Sequence, residues 1–342
     1  MGEIKSMNRL KCPLTNDIIS GLSMNDPEDL FSLVDYRNSR FTSSDPDKII
    51  EFYDSFKDRD DLIEWMKERP KGVANIHEVN GNKEIIVVIP TADFNGEYAK
   101  GCRENIFKGL HMIFVESGGR GDFYFNYAFN CNVGIKKAME YNPKWIIVSN
   151  DDMERIDDTD VILNQLSEID QQKIMVVFTE PTIYHSYPIS VGKKRLVITD
   201  FALLFYGLRH KSERDFNLEN RIKRRFKVKW IKGPGNRLLS KVLLKNSRVF
   251  LLTSSFAIFN GSFLVQERER INDETYINGW EDFDLSLWLN MKKFSYSIID
   301  YKIGDKMGSS LSRTNKEIMG RLLRNIANQV YLDYKISNGL LA

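Results

Sequence analysis

Two runs decide the fold: Glu84-Ile85-Ile86-Val87-Val88-Ile89-Pro90 and Trp145-Ile146-Ile147-Val148-Ser149-Asn150-Asp151-Asp152. Each is a short, unbroken apolar stretch rich in β-branched residues. A strand wetted on one face alternates apolar and polar positions, whereas a strand covered on both faces does not. Both runs therefore read as strands buried on both sides, the first closed by Pro90 and the second by three polar residues. Working outward, a helix near Glu97 to Gly109 follows the first run, then a strand His111 to Val115 and the turn Ser117-Gly118-Gly119. A helix from about Tyr127 to Tyr141, with Ala128, Cys131, Ile135 and Ala138 on one face, leads into the second run. Another helix (about Asp158 to Ile169) and strand (Lys173 to Phe178) follow it. Strands alternating with helices need crossover connections, so the class is α/β with a mostly parallel central sheet flanked by helices. Ligands of such sheets bind beyond the carboxyl ends of the strands, where Asn150-Asp151-Asp152 fall.

The flanks differ in character. Residues 1–80 are polar and helical in pattern, with the best helix over Asp47 to Arg69; Ile49, Ile50, Tyr53, Phe56, Leu62, Ile63 and Trp65 recur at helical spacing and Pro70 stops it. A packing extension is favoured there over an oligomerisation or acceptor-docking element. Within a main unit of 81–315, residues 181–249 break the rhythm as an insertion, and Arg209 to Arg248 is dense in Lys and Arg with Phe216, Phe226 and Trp230 among them. Three readings stand for it: a solvated helical insertion, contact with an anionic membrane surface, or nucleic-acid binding, which no reader motif accompanies. After Phe250 come an apolar run to Asn260-Gly261, a helix near Glu281, a strand Ser295 to Asp300 and a C-terminal helix over 316–342.

Bulk properties exclude more than they assign. With 342 residues, 42% hydrophobic and 28% charged, the chain can bury a core without disulfides or structural metal. Cys12, Cys102 and Cys131 are odd in number and widely spaced, which argues against a disulfide framework or zinc site and suits a reducing compartment. A net charge of +2 names no partner. No segment approaches the roughly 18 uninterrupted apolar residues of a membrane span, and no leader is visible. The expected location is the cytoplasm, with peripheral contact at the inner membrane face left open.

Three features carry the chemistry. Asn150-Asp151-Asp152 follows a buried strand, and hard cations such as Mg²⁺ or Mn²⁺ take carboxylate oxygens together with substrate phosphates and water. The same residues also suit a solvated turn or a helix N-cap. Gly279-Trp280-Glu281-Asp282-Phe283-Asp284-Leu285 opens a helix with acids, either as simple dipole compensation or to place a general base that takes a proton from an attacking hydroxyl. Trp280 offers a stacking face for a sugar or a staple into the core. Asp305-Lys306-Met307-Gly308-Ser309-Ser310 alone reads as a polar loop.

Taken in order, these features resemble the family 2 glycosyltransferases, in particular their rhamnosyltransferase-like branch. The likeness runs through Val87-Val88-Ile89-Pro90-Thr91, Phe114-Val115-Glu116-Ser117-Gly118-Gly119 and Asn130-Cys131-Asn132-Val133-Gly134-Ile135. It continues in Ser149-Asn150-Asp151-Asp152, Phe259-Asn260-Gly261-Ser262 and Trp280-Glu281-Asp282-Phe283-Asp284-Leu285-Ser286-Leu287, spanning about 84–310. The resemblance implies a GT-A fold, a nucleoside-diphosphate-sugar donor, a hydroxyl acceptor such as a glycan or lipid-linked glycan, Mn²⁺ or Mg²⁺, and inversion at the anomeric centre. It places Pro90, Thr91, Glu116 and Asn132 at the donor, Asn150 and Asp151 beside it, and Asp152 as main metal ligand. It makes Asp282 the base with Glu281 as its companion, and puts Gly261 and Trp280 on the acceptor side. Three departures stand out: Glu116 where an Asp is usual, Asn150 for a frequent first Asp, and Asp305-x-x-Gly308-x-Ser310 where many relatives carry His-x-x-Gly-x-Ser. Asp305 is the second metal-ligand candidate. Two other readings compete. A catalytically degenerate binding or scaffold protein is disfavoured by Glu281 and Asp282. A sugar-phosphate nucleotidyltransferase needs a glycine-rich basic loop after the first strand, which Pro90 to Gly96 lacks.

Overall fold

The computed structural model describes residues 35–118, 124–179, 184–187, 189–192, 195–198, 213–228, 249–252, 255–267, 271–305 and 315–341. Seven strands form the central sheet in the order β1 (Asn75–Val79), β3 (Leu110–Glu116), β2 (Asn82–Thr91), β4 (Trp145–Ser149), β11 (Phe256–Asn260), β6 (Val176–Thr179) and β12 (Tyr296–Ile299). β3, β2 and β4 are parallel, as are β6 and β12; β11 runs antiparallel between β4 and β6, and β1 antiparallel on β3. A smaller pair, β5 (Met153–Arg155) with β13 (Ile303–Asp305), leaves the end of β4. The remaining pairs are β7 (Tyr184–Tyr187) with β10 (Val249–Leu252) and β8 (Ile189–Gly192) with β9 (Arg195–Ile198).

From Ile85 onward, β2 is buried on both faces. Ile85, Val87 and Ile89 enter one apolar core, with the helices Glu97–Gly101 and Thr159–Ser167 over it. Ile86 and Val88 enter another, under the helices Tyr127–Met139 and Glu281–Met291. Fully burying each such side chain is worth about 1.5–3 kcal/mol, so a charge at any of these positions has no dry-to-wet escape. The helix Tyr127–Met139 packs so closely that a Cβ on Gly134 would lie 2.4 Å from Val88 Cγ1.

Several expectations are revised in detail. The single helix over 47–69 is two, Pro46–Asp54 and Arg59–Glu68, because Asp58 caps the second by accepting the N–H groups of Asp60 and Asp61. The helix after the first strand converts after Gly101 into a π-helical turn, Cys102–Ile106. Residues 75–79, within the region read as helical, form the edge strand β1.

A third core gathers what the sequence divided into three segments. Phe52, Tyr53 and Trp65 from the N-terminal helices, Ile222 and Phe226 from the basic insertion, and Leu323, Ile326 and Val330 from the helix Asn315–Ser337 share one cluster with Tyr276 and Leu287. Tyr53 is its pin: the hydroxyl donates to Leu323 C=O at 2.6 Å and accepts from Ala327 N–H at 2.9 Å. Those are the two groups that one α-helical turn would otherwise pair with each other.

Candidate active site at the carboxyl rim of the sheet

β2, β3 and β4 end side by side. Thr91 closes β2 opposite Glu116 of β3, and Asn150-Asp151-Asp152 leaves β4 next to them. The turn is braced by four parts of the chain. Thr91 Oγ1 donates to Asp151 Oδ2 at 2.7 Å, and Cys102 Sγ, carried in by the π-helical turn, donates to Asp151 C=O at 3.3 Å. Asn150 N–H donates to Ser255 C=O at 2.9 Å, and the Tyr127 hydroxyl donates to Asn150 Oδ1 at 2.9 Å. Asp152 follows, nearly fully buried. Burial raises the pKa of Asp151, as does the charge of Asp152, against the bond from Thr91. Beyond Asp152, Met153 opens β5, and β13 lays the backbone of Asp305 directly opposite it. The side chain of Asp305 lies outside the described residues.

The second acidic arm arrives over a strained turn. Asn278, Gly279 and Trp280 have φ of 51°, 154° and 77°, all in the left-handed half of the map. For a bulky residue such as Trp280 this costs on the order of 1–3 kcal/mol and persists only where the surroundings enforce it. They do. Asn278 Oδ1 accepts Tyr127 N–H at 3.0 Å, while Asn328 of the C-terminal helix accepts Ile277 N–H at 2.9 Å and donates to Ile277 C=O at 3.0 Å.

The helix Glu281–Met291 starts from that turn. Glu281 is 3% exposed, and its Oε2 has no hydrogen-bond partner among the described residues. Burial first, and the charge of Asp282 second, push its pKa up to about 8, with main-chain bonds at Glu281 and Gly279 opposing. At neutral pH Glu281 is therefore mostly protonated. Asp282 is more exposed and accepts Phe283 N–H at 2.7 Å. The third acid of the run serves packing instead. Asp284 is buried against Lys335 Nζ at 2.9 Å, which also holds Asp273 at 2.8 Å.

Both arms are bonded to Tyr127: the β4 turn through the hydroxyl on Asn150, and the turn before the acidic helix through the main-chain N–H on Asn278. Burial first, and then electrostatic interaction with Cys131, Glu281 and Asp282, raise the phenol pKa. The acids of the helix are thus within electrostatic reach of the side chain that holds Asn150. Titratable groups perturbed by burial and by one another are a common mark of functional sites.

Other expected residues fall variously. Glu116 Oε2 lies 2.7 Å from His77 Nε2 of β1, and that imidazole stacks on Phe94 at 4.3 Å with a 5° interplanar angle. Pro90 is buried in β2 opposite Val115. Asn132 donates to Asn272 C=O at 2.8 Å and accepts Asn272 N–H at 3.0 Å, tying its helix to the loop before the acid arm. Trp280 lies 5.1 Å from the Phe283 ring and packs on the helical core. Gly261 is not brought to this rim. Because β11 is antiparallel, its end Asn260 pairs with Trp145 at the start of β4, so Gly261 lies at the opposite edge. A Cβ there would come within 2.2 Å of Pro143 O, which is reason enough for glycine. The residue that does reach the rim from β11's side is Ser255, at the other end of that strand, through its C=O on Asn150.

Of the basic insertion, the helix Glu213–Arg225 is described; residues 229–248 lie outside the described residues. The apolar side chains of Ile222 and Phe226 are buried in the helical core, and Arg225 pairs with Asp54 at 2.7 Å. Among the described residues no helix is long and apolar enough to cross a membrane. Nor do three or more described His, Cys, Asp or Glu side chains close on one point as a metal cage. Mg²⁺ and Mn²⁺ do not need one, since one or two carboxylates plus phosphates and water suffice. The hard oxygen donors at the β4 tip fit that pattern. No protein-family model matches the chain, and neither does any curated protein.

Proposed function

We propose that the protein is a metal-dependent glycosyltransferase of the GT-A type, moving a sugar from a nucleoside-diphosphate donor to a hydroxyl of a glycan or lipid-linked glycan. One observation carries the reading: the carboxylate turn at the tip of β4 and the turn that leads into the acidic helix Glu281–Met291 are both hydrogen-bonded to Tyr127, from segments far apart in the chain. A transfer reaction needs that convergence, because the leaving diphosphate and the attacking hydroxyl must be served from opposite sides of one sugar.

Asp152, with Asp305 alongside, would hold Mn²⁺ or Mg²⁺, which when bound supplies positive charge against the diphosphate. Asp282 takes the proton of the acceptor hydroxyl as its oxygen bonds to the anomeric carbon. The bond to the diphosphate breaks with its electron pair leaving on the phosphate oxygen, and the anomeric configuration inverts. Glu281, protonated at neutral pH, has a hydrogen bond to give and orients the acceptor oxygen toward Asp282. Thr91 holds Asp151 in place behind Asp152.

A panel of nucleotide sugars with Mn²⁺, read by thermal shift and donor hydrolysis, tests the proposal. One donor should stabilise the protein and be hydrolysed slowly. Asp282→Asn should abolish that turnover yet leave donor affinity nearly intact; wild-type rates in this variant would remove the base assignment. A second reading, a binding protein without turnover, draws on the fact that Asn150 and Asp151 already have hydrogen-bond partners within the protein. Stabilisation by a donor without any hydrolysis would favour it.

A further inference from the structure

Tyr127 is the first residue of its helix, and Asn126 caps that helix by accepting Phe129 N–H at 2.8 Å. The side chain therefore leaves a rigid element, one turn from Cys131, which is fully buried beneath it. Its two polar groups go in different directions. The hydroxyl donates to Asn150 at 2.9 Å, and the main-chain N–H donates to Asn278 at 3.0 Å. Asn150 is the residue before the two aspartates, and Asn278 is the first of the three left-handed residues that aim Trp280, Glu281 and Asp282.

Both acidic arms are irregular backbone held by bonds from elsewhere in the fold, and Tyr127 is bonded to each. The β4 turn is irregular backbone, and the 278–280 turn holds a conformation that costs energy. A tyrosine hydrogen-bonded to both arms, one through its side chain and one through its backbone, fixes the distance between them. Reaction rates are sensitive to such distances: a displacement of about 1 Å can cost roughly a hundredfold.

We propose that Tyr127 is the positioning residue of this site, its hydroxyl clamping the Asn150–Asp152 turn at a set distance from the Glu281–Asp282 pair. The inference rests on the transferase reading and adds to it a residue that touches neither metal nor reacting atoms. Phenylalanine keeps the ring, the helix start and the main-chain N–H on Asn278, and removes the hydroxyl with its bond to Asn150.

Tyr127→Phe is tested in the full chain by two measurements. The first is Mn²⁺-dependent donor hydrolysis. The expected result is a fall in kcat of at least tenfold with donor KM within about threefold, since binding groups stay and only their alignment loosens. Equal kcat in Tyr127→Phe and wild type overturns the proposal. A rise in KM at unchanged kcat also overturns it, because that marks a donor contact. The second needs no turnover and follows stability against pH from 5 to 8. A single buried carboxyl that stays protonated in the folded state makes the unfolding constant rise about tenfold per pH unit. If the two arms are coupled through Tyr127, loosening the Asn150 turn loosens the packing over Glu281, and this dependence should drop to less than about threefold per unit in Tyr127→Phe. An unchanged dependence overturns the clamp. If wild type hydrolyses no donor, the transferase reading is what fails, and the pH dependence alone decides whether Tyr127 couples the arms.

Discussion

Replacing Glu281 by glutamine should make the protein more stable as pH rises, relative to the wild type. The carboxyl is 3% exposed, its Oε2 has no partner among the described residues, and burial pushes its pKa up to about 8 from an ordinary 4.5. Between those two values the unfolded chain has released the proton and the folded chain still holds it. The folded state binds more protons, so stability falls with increasing pH at about 1.4 kcal/mol per unit, and the fall stops once pH passes the folded value. From 4.5 to pH 7 the accumulated loss is ~3 kcal/mol, a substantial part of the roughly 5–15 kcal/mol typical of folded domains. Glutamine does not ionise and removes this slope. Its buried amide adds a cost on the order of 1–3 kcal/mol if unpaired, but that offset does not vary with pH. The assay is urea unfolding of both proteins at each unit from pH 5 to 9. Titrating groups that do not interact with Glu281 cancel in the difference, which should climb through the window and level off above pH 8. Parallel curves for the two proteins would refute the burial argument for Glu281.

Other outcomes follow from the same contacts. Lys335→Met removes the cation shared by the partly buried Asp273 and the buried Asp284, and should cost about 3–5 kcal/mol in urea unfolding at neutral pH; a loss below about 1 kcal/mol would mean the network is solvated in solution. Gly134→Ala forces a methyl against Val88 and should destabilise by about 1–3 kcal/mol, checked by the urea midpoint at constant m. Asp152→Ala should weaken Mn²⁺-dependent nucleotide affinity at least tenfold by calorimetry, and chelation with EDTA should bring the wild type to the same level. Unchanged affinity in either experiment argues against a metal at the β4 tip.

Much of the sheet was legible because burial on both faces erases alternation. Glu84 to Pro90 and Trp145 to Ser149 became β2 and β4 with boundaries close to those expected, and Asn150 to Asp152 fell at a strand's end as the parallel order requires. Gly261 was misplaced because nothing local in Phe256–Asn260 distinguishes a parallel from an antiparallel strand; direction is decided by which neighbours it pairs with. Tyr127 left no signal, since an aromatic residue at a helix start looks like core. Asn278-Gly279 did leave one, as a dipeptide that tolerates left-handed backbone, although its consequence for Trp280 depends on Asn328 from the far end of the chain.

The amino-acid sequence by itself determined the doubly buried strands and most of the helices between them, that the class is α/β, and that acids stand at two element boundaries, because those properties depend on neighbours along the chain. Only tertiary structure decided that the two acidic arms are tied to one tyrosine, that Glu281 is dry while Asp282 is wetter, and that the chain's N-terminal helices and C-terminal helix share one core. Those facts depend on what packs against each group. Solvent exclusion, which shifts the pKa of Glu281, and the hydrogen bonds that enforce the 278–280 turn are properties of the assembled neighbours and not of the residue.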